Sequence, residues 1–166
     1  MEIKENTISI LVNNKPDVMA RIAGTFSGRG FNIETIAVNV TKDPHISKII
    51  LTIFGNQDTI TKIEKQLKRM LDVIQVDDLT GRDAIRREMI LVRMKTTEAQ
   101  RTELTKTIDT YKWKIVSSSA DYCIVEITGH RDDIENALAI LEPLGIDDFT
   151  RTGTVALARQ NNNSRG

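Results

Sequence analysis

The sequence predicts an α+β protein made of two ferredoxin-like βαββαβ units. Three observations carry that prediction. Between Thr7 and Val76 the spacing of apolar residues switches in the order strand, helix, strand, strand, helix, strand. Beyond a charged, glycine-containing break the same order is spelled a second time. A length of 166 residues and a hydrophobic fraction of 40% suffice for two small cores, and aromatics at 4% leave aliphatic side chains to fill them.

In residues 7–12, Ile8, Ile10 and Val12 share one face and Thr7 and Ser9 the other, which is the period of a half-buried strand. Asn13, Asn14, Lys15 and Pro16 stop it. Pro16 and Asp17 are a helix-entry signal, after which Val18, Ile22 and Phe26 recur at four-residue steps. Gly28 and Gly30 are expected to end that helix, one as its left-handed cap. Residues 33–40, with Ile36, Val38 and Val40 in phase, and residues 48–54 read as antiparallel strands joined by a turn at Lys42, Asp43 and Pro44. A second helix opens at Gly55 and Asn56 and keeps Ile60, Ile63, Leu67 and Leu71 on one face. Residues 73–76 close the unit as its fourth strand, giving a first domain over 1–79.

Residues 80–87 combine Gly81 with Arg82, Asp83, Arg86 and Arg87 and are read as a linker. In the second domain, 88–159, residues 89–94 form a strand. Thr97 with Gln100 three residues on is a capping-box signature for a helix using Leu104, Ile108 and Tyr111. Strands at 114–117 and 122–128 precede a helix through Ile134, Ala137, Leu138 and Leu141, then short strands at 146–150 and 154–158. The repeat is one of element order, without evident identity between the copies. Residues 160–166 lack apolar side chains and are expected to be a disordered tail.

Charge narrows the function classes. There are 23 Lys and Arg against 23 Asp and Glu, balanced at ten each before Gly81 and thirteen each from it onward. A nucleic-acid binder carries a basic stripe and a peripheral membrane protein a basic helix, so neither partner is expected. The longest apolar stretch, 49–54, is far short of the ~20 residues that span a bilayer. The first residues resemble neither a signal nor a transit peptide, and a cytoplasmic location is expected. The single cysteine forms no internal disulfide, and no Cys/His spacing fits a metal.

Few residues invite catalysis. Cys123 shares its strand face with Val125 and Ile127, where a small buried hydrophobe belongs, and packing is preferred to a nucleophilic role. His45 lies in a turn and His130 at a helix entrance, and both read as surface residues. Gly24, Gly28 and Gly30 fall at the C-terminal end of a helix, whereas phosphates bind at N-terminal ends. Arg86-Arg87 and Lys68-Arg69 read as solvated pairs. That leaves the turn Asn13-Asn14-Lys15-Pro16-Asp17-Val18, whose free amides at a helix N-terminus suit a carboxylate. On its own the turn reads equally as an ordinary helix start, which is the commoner case.

Three stretches carry a resemblance: SILV at 9–12, NKPDVMARI at 14–22 and FSGRGFNIETI at 26–36. Together with Lys65-Gln66-Leu67, Leu71-Asp72-Val73 and REMILV at 87–92, they resemble the ACT domain and following domain of the acetolactate synthase (acetohydroxyacid synthase) small regulatory subunits. The likeness spans nearly the whole chain. It implies a homodimer formed through the ACT domain, with a branched-chain amino acid effector such as valine bound at the dimer interface. Family binding positions fall on Asn14, Lys15, Pro16, Asp17 and Val18 of one subunit and on Asn32 and Ile33 of its partner. The resemblance further implies a catalytic large subunit that binds thiamine diphosphate, magnesium and FAD, while this chain holds no cofactor and no catalytic residue.

One departure stands out. The family's turn usually reads Asn-x-Pro/Ser-Gly, and Asp17 occupies the glycine position. Its carboxylate is expected to repel that of the effector and weaken feedback by valine, with activation of the large subunit retained; alternatively it turns toward the effector ammonium and helps. Two readings from other classes are a stand-alone amino-acid-responsive transcriptional regulator, for which no DNA-reading element is visible, and a small enzyme using Cys123 or His130.

Overall fold

The fold is that of a computed structural model, which describes residues 3–27 and 32–160. The expected helix-ending glycines Gly28 and Gly30, and residues 161–166 of the expected tail, lie outside the described residues. The elements are β1 (Lys4–Asn13), α1 (Val18–Ser27), β2 (Ile33–Val40), β3 (Ile46–Gly55), α2 (Gln57–Leu67), β4 (Val73–Asp78), β5 (Ala84–Lys95), α3 (Glu98–Tyr111), β6 (Lys114–Ser118), β7 (Tyr122–Gly129), α4 (Arg131–Leu141), a 3₁₀ turn (Glu142–Leu144), β8 (Ile146–Arg151) and β9 (Val155–Ala158). The two sheets have matching orders, β2-β3-β1-β4 and β6-β7-β5-β8. Both orders are the ferredoxin-like one, so the predicted α+β class and the repeated βαββαβ topology are what the chain adopts.

The first core forms because Ile8, Ile10 and Val12 alternate on β1 opposite Ile49, Leu51 and Ile53 of β3, while α1 lays Val18, Ile22 and Phe26 on them and α2 adds Ile60, Ile63 and Leu67. All are almost completely buried. Each such side chain contributes about 1.5–3 kcal/mol by leaving water. Leu71, expected on the apolar face of α2, is instead 90% exposed. The helix ends at Leu67, and the amides of Arg69 and Met70 turn back onto Gln66 and Leu67, which carries Leu71 off the face.

The second core packs Ile90, Val92 and Met94 of β5 with Cys123, Val125 and Ile127 of β7 beneath Leu104, Ile108, Ile134, Ala137 and Leu141. Tyr111 is half exposed rather than buried and stacks on Trp113 with ring centroids 4.9 Å apart. The capping box at Thr97 and Gln100 forms as the spacing predicts. Thr97→Ala should cost about 1 kcal/mol. A calorimetric melt would show this as a drop of roughly 2–4 °C.

The expected linker is largely structured. Residues 80–83 turn, and β5 starts at Ala84. The Arg86 guanidinium donates to the carbonyls of Leu79 and Thr80, the latter at 3.2 Å, so the charges read as a break are tied down. The chain separates into two compact units, one of the residues up to Arg86 together with those from Thr154, the other Arg87–Gly153. By its contacts the last strand groups with the first unit. There the Thr154 amide donates to Thr35 Oγ1 at 3.3 Å, and Thr35 shares a 2.6 Å bond with Thr52. Thr7 and Ser9, expected on a solvent face, are buried. Thr7 is held by Thr80 and Arg86, while Ser9 lines a cavity of about 260 Å³ with Lys48, Asp77 and Ala156.

Candidate functional site

Four residues, Asn14 to Asp17, carry the chain from the end of β1 to the start of α1. The Asn14 amide donates to the His45 carbonyl at 2.7 Å, and its Nδ2 donates to the Pro44 carbonyl at 2.9 Å. These bonds pin the turn to the β2–β3 connection, and Asn14 Oδ1 has no partner among the described residues. The Lys15 amide donates to the Asn13 carbonyl at 3.0 Å, and the Val18 amide to the Pro16 carbonyl at 2.9 Å. Val18 itself is buried in the first core.

Asp17 is left-handed, with φ at 64°. That region suits glycine, and Asp is among the few other residues that tolerate it. The conformation explains a family glycine at this position. It also corrects the reading of Asp17 as an ordinary helix-start residue. A capping Asp has extended backbone and accepts from the second or third helical amide, whereas the Asp17 carboxylate is exposed and has no partner among the described residues. The amides of Met19 and Ala20 are consequently left without an acceptor there. By contrast, α2, α3 and α4 are capped by the side chains of Asn56, Thr97 and His130.

Beneath the turn lies a residue that the sequence reading left without a role. Asp72 is 5% exposed, yet its carboxylate accepts from Asn13 Nδ2 at 3.1 Å, from Lys15 Nζ at 3.0 Å and from the Arg21 guanidinium. Its backbone carbonyl accepts the Asn13 amide at 2.8 Å. Those side-chain bonds, Asn13 foremost, hold the Asp72 carboxyl down at about 2. Ionised Asp72 therefore favours the folded state at and above ordinary carboxylate pH, and that contribution is lost as pH falls toward 2. The sequence signal was weak: an acid between Leu71 and Val73, with its cations more than fifty residues upstream.

Asn32 and Ile33 stand elsewhere. Asn32 precedes β2 and donates to Glu34 Oε1 at 3.0 Å, while Ile33 is half-buried against the first core. In the strand register Asn13 pairs with Ile46 and Ile33 with Ile53, at opposite ends of β3. At ~3.3 Å per residue the two ends are roughly 23 Å apart. One chain thus assembles the positions 14–18 and keeps Asn32 and Ile33 away from them.

The other candidates have structural places. Cys123 sits in the second core, and burial pushes its thiol pKa up, away from nucleophilic character. His130 caps α4, its amide donating to Asp133 Oδ2 at 2.9 Å, and His45 is exposed. Among the described residues no group of three or more His, Cys, Asp or Glu could hold a metal ion. No described helix is long and apolar enough to cross a membrane.

Residues 8–75 match the AHAS small subunit-like ACT domain, and residues 87–160 match the family described as small subunit of acetolactate synthase. The chain belongs to the acetolactate synthase small-subunit family. It is 33% identical over 160 residues to the acetolactate synthase small subunit of Aquifex aeolicus, covering 96% of this chain and 83% of that protein. Identity to the Bacillus subtilis acetolactate synthase small subunit is 34% over 154 residues, covering 92% and 89% of the two chains. The crystal structure of the Thermotoga maritima acetolactate synthase small subunit superposes with a TM-score of 0.87 at 34% identity, over 96% of this chain and 99% of that one. Membership makes this chain a regulatory component of an acetolactate synthase and connects it to branched-chain amino acid biosynthesis. It also implies a catalytic large subunit as partner.

Proposed function

We propose that this small subunit binds and activates the catalytic large subunit of acetolactate synthase, and that its β1–α1 turn receives a branched-chain amino acid that tunes the rate. The observation that carries the reading is the open turn. Unpartnered amides at Met19 and Ala20 suit the effector carboxylate, and Asn14 Oδ1 suits its ammonium.

The second half of the pocket comes from a second copy. β2 is an edge strand of its sheet and leaves Ile36, Val38 and Val40 substantially exposed on its helix-side face. Pairing two β2 edges antiparallel covers them and places the Asn32 end of one strand beside the Val40 end of the other. That end adjoins the 41–45 connection, which holds Asn14 of the same protomer. A symmetric dimer therefore brings Asn32 and Ile33 of one protomer toward residues 14–18 of the other. An effector that changes the rate must bind one state of the complex more tightly than another.

In this reading thiamine diphosphate, magnesium and FAD reside on the large subunit in the cytoplasm, and this chain supplies no catalytic group. The test is to mix the purified small subunit with its cognate large subunit and follow acetolactate formation with and without valine. The rate should rise on mixing, and sedimentation should show a dimer of the small subunit alone. No rise in rate, or a strict monomer, would overturn the reading.

A further inference from the structure

We propose that Asp72 is the positioning residue of the effector turn, setting its geometry through Asn13, Lys15 and Arg21. This rests on the reading of residues 14–18 as an effector site.

The backbone places Asp72 there by a local irregularity. On β1, Leu11 pairs with Gln75 and the next residue, Val12, pairs with Val73, so Ile74 has no counterpart. Such a bulge bends the strand and re-aims the side chains beside it. Here it accompanies a turn at 68–72 that brings Asp72 under the β1–α1 connection, and Ile74 is left half exposed.

From that position one carboxylate reaches three elements of the site. Asn13 is the last residue of β1, Lys15 lies within the turn, and Arg21 is in the first turn of α1, where its amide also donates to the Asp17 carbonyl at 3.0 Å. Both cations are largely exposed apart from this contact. Held by Asp72, they do not neutralise Asp17, whose carboxylate stays unpartnered beside the amides that would take the effector. Asp72 thus fixes the strand end, the turn and the helix start together, and it decides where the turn's positive charge sits. Its own low exposure makes direct contact with an effector unnecessary to the role.

The test variant is Asp72→Asn, which keeps the shape and removes the charge. Two readouts are taken well below the melting temperature: amide hydrogen exchange at Asn14 and Val18, and calorimetric affinity for L-valine. Exchange should quicken by about 10-fold or more and valine affinity should fall about 10-fold. A residue that serves only stability would lower the melting temperature and leave the valine affinity of the folded protein unchanged. Unchanged exchange at Asn14 and Val18 would overturn the proposal whatever valine does, and so would unchanged affinity in a protein that binds valine. Quickened exchange in a protein that binds no valine, leucine or isoleucine would instead sink the effector reading alone and leave Asp72 as the residue that sets the turn. Arg21→Gln, altered at an exposed position, carries the same two readouts should the Asn variant fail to fold.

Discussion

Replacing Asp17 by glycine should tighten valine binding by between about 4-fold and 150-fold. The Asp17 carboxylate has no ion pair or hydrogen bond among the described residues, because Lys15 and Arg21 are engaged by Asp72. An effector carboxylate at the Met19 and Ala20 amides would therefore feel its charge undiminished. Two like charges ~5 Å apart repel by about 0.8 kcal/mol in water and about 3 kcal/mol at an effective dielectric near 20. Those energies correspond to the two ends of the range. The fold should hardly notice the change. Glycine relieves a left-handed strain of about 1 kcal/mol, but it costs the folded chain about 0.4–1 kcal/mol in backbone entropy. The two nearly cancel, so a melting temperature within a few degrees of wild type should accompany the gain in affinity. Calorimetry on both proteins decides, and equal affinities would mean that Asp17 does not oppose the effector.

The largest effect on stability is expected in the second unit, at Glu88. This residue lies on the helix-facing side of β5 and is 1% exposed. Its Oε1 accepts from Arg151 Nε, and Arg151 Nη1 donates to Glu135 at 2.8 Å. The bond to Glu88 is the main cause that raises the Arg151 pKa above its usual value. Glu88→Ala removes one partner and leaves a largely buried guanidinium with Glu135 alone. Breaking a fully buried pair costs ~3–5 kcal/mol. The Arg151 side chain is 26% exposed and keeps one partner, which lowers the expected cost to about 2–3 kcal/mol. A thermal melt should fall by roughly 5–10 °C. The double variant Glu88→Leu with Arg151→Met should recover most of the loss, because no charge is then stranded. A double variant less stable than Glu88→Ala would locate the cost in packing instead.

The order of elements was legible because each apolar period is buried by a neighbour close in sequence. Even the repeat left a trace in its letters, which element order alone did not show. GNQDTI at 55–60 and GHRDDI at 129–134 each end a strand with glycine, cap the next helix with Asn56 or His130 and bury an isoleucine. A Cβ on Gly55 or Gly129 would lie within 3 Å of Thr59 or Asp133, so close strand-to-helix packing requires glycine at both. The turn at 14–17 was visible through its resemblance, but the left-handed backbone at Asp17 was missed, because the residue was read for its charge and as a helix start. Asp72 was invisible because its partners are brought by a bulge, and no periodicity encodes a bulge. Thr7 and Ser9 misled for a related reason. They are polar and alternate with isoleucines, and much of what buries them comes from distant parts of the chain.

The return of β9 has a consequence for biosynthesis. Domains usually mature in the order in which the ribosome releases them. Here Arg87–Gly153 is contiguous and is delivered whole, while the first unit waits for Thr154 to reach Thr35. The unit that carries the β1–α1 turn thus begins emerging first and is finished last. Translation that stops at Arg86 yields a sheet lacking that contact, however complete its βαββαβ order.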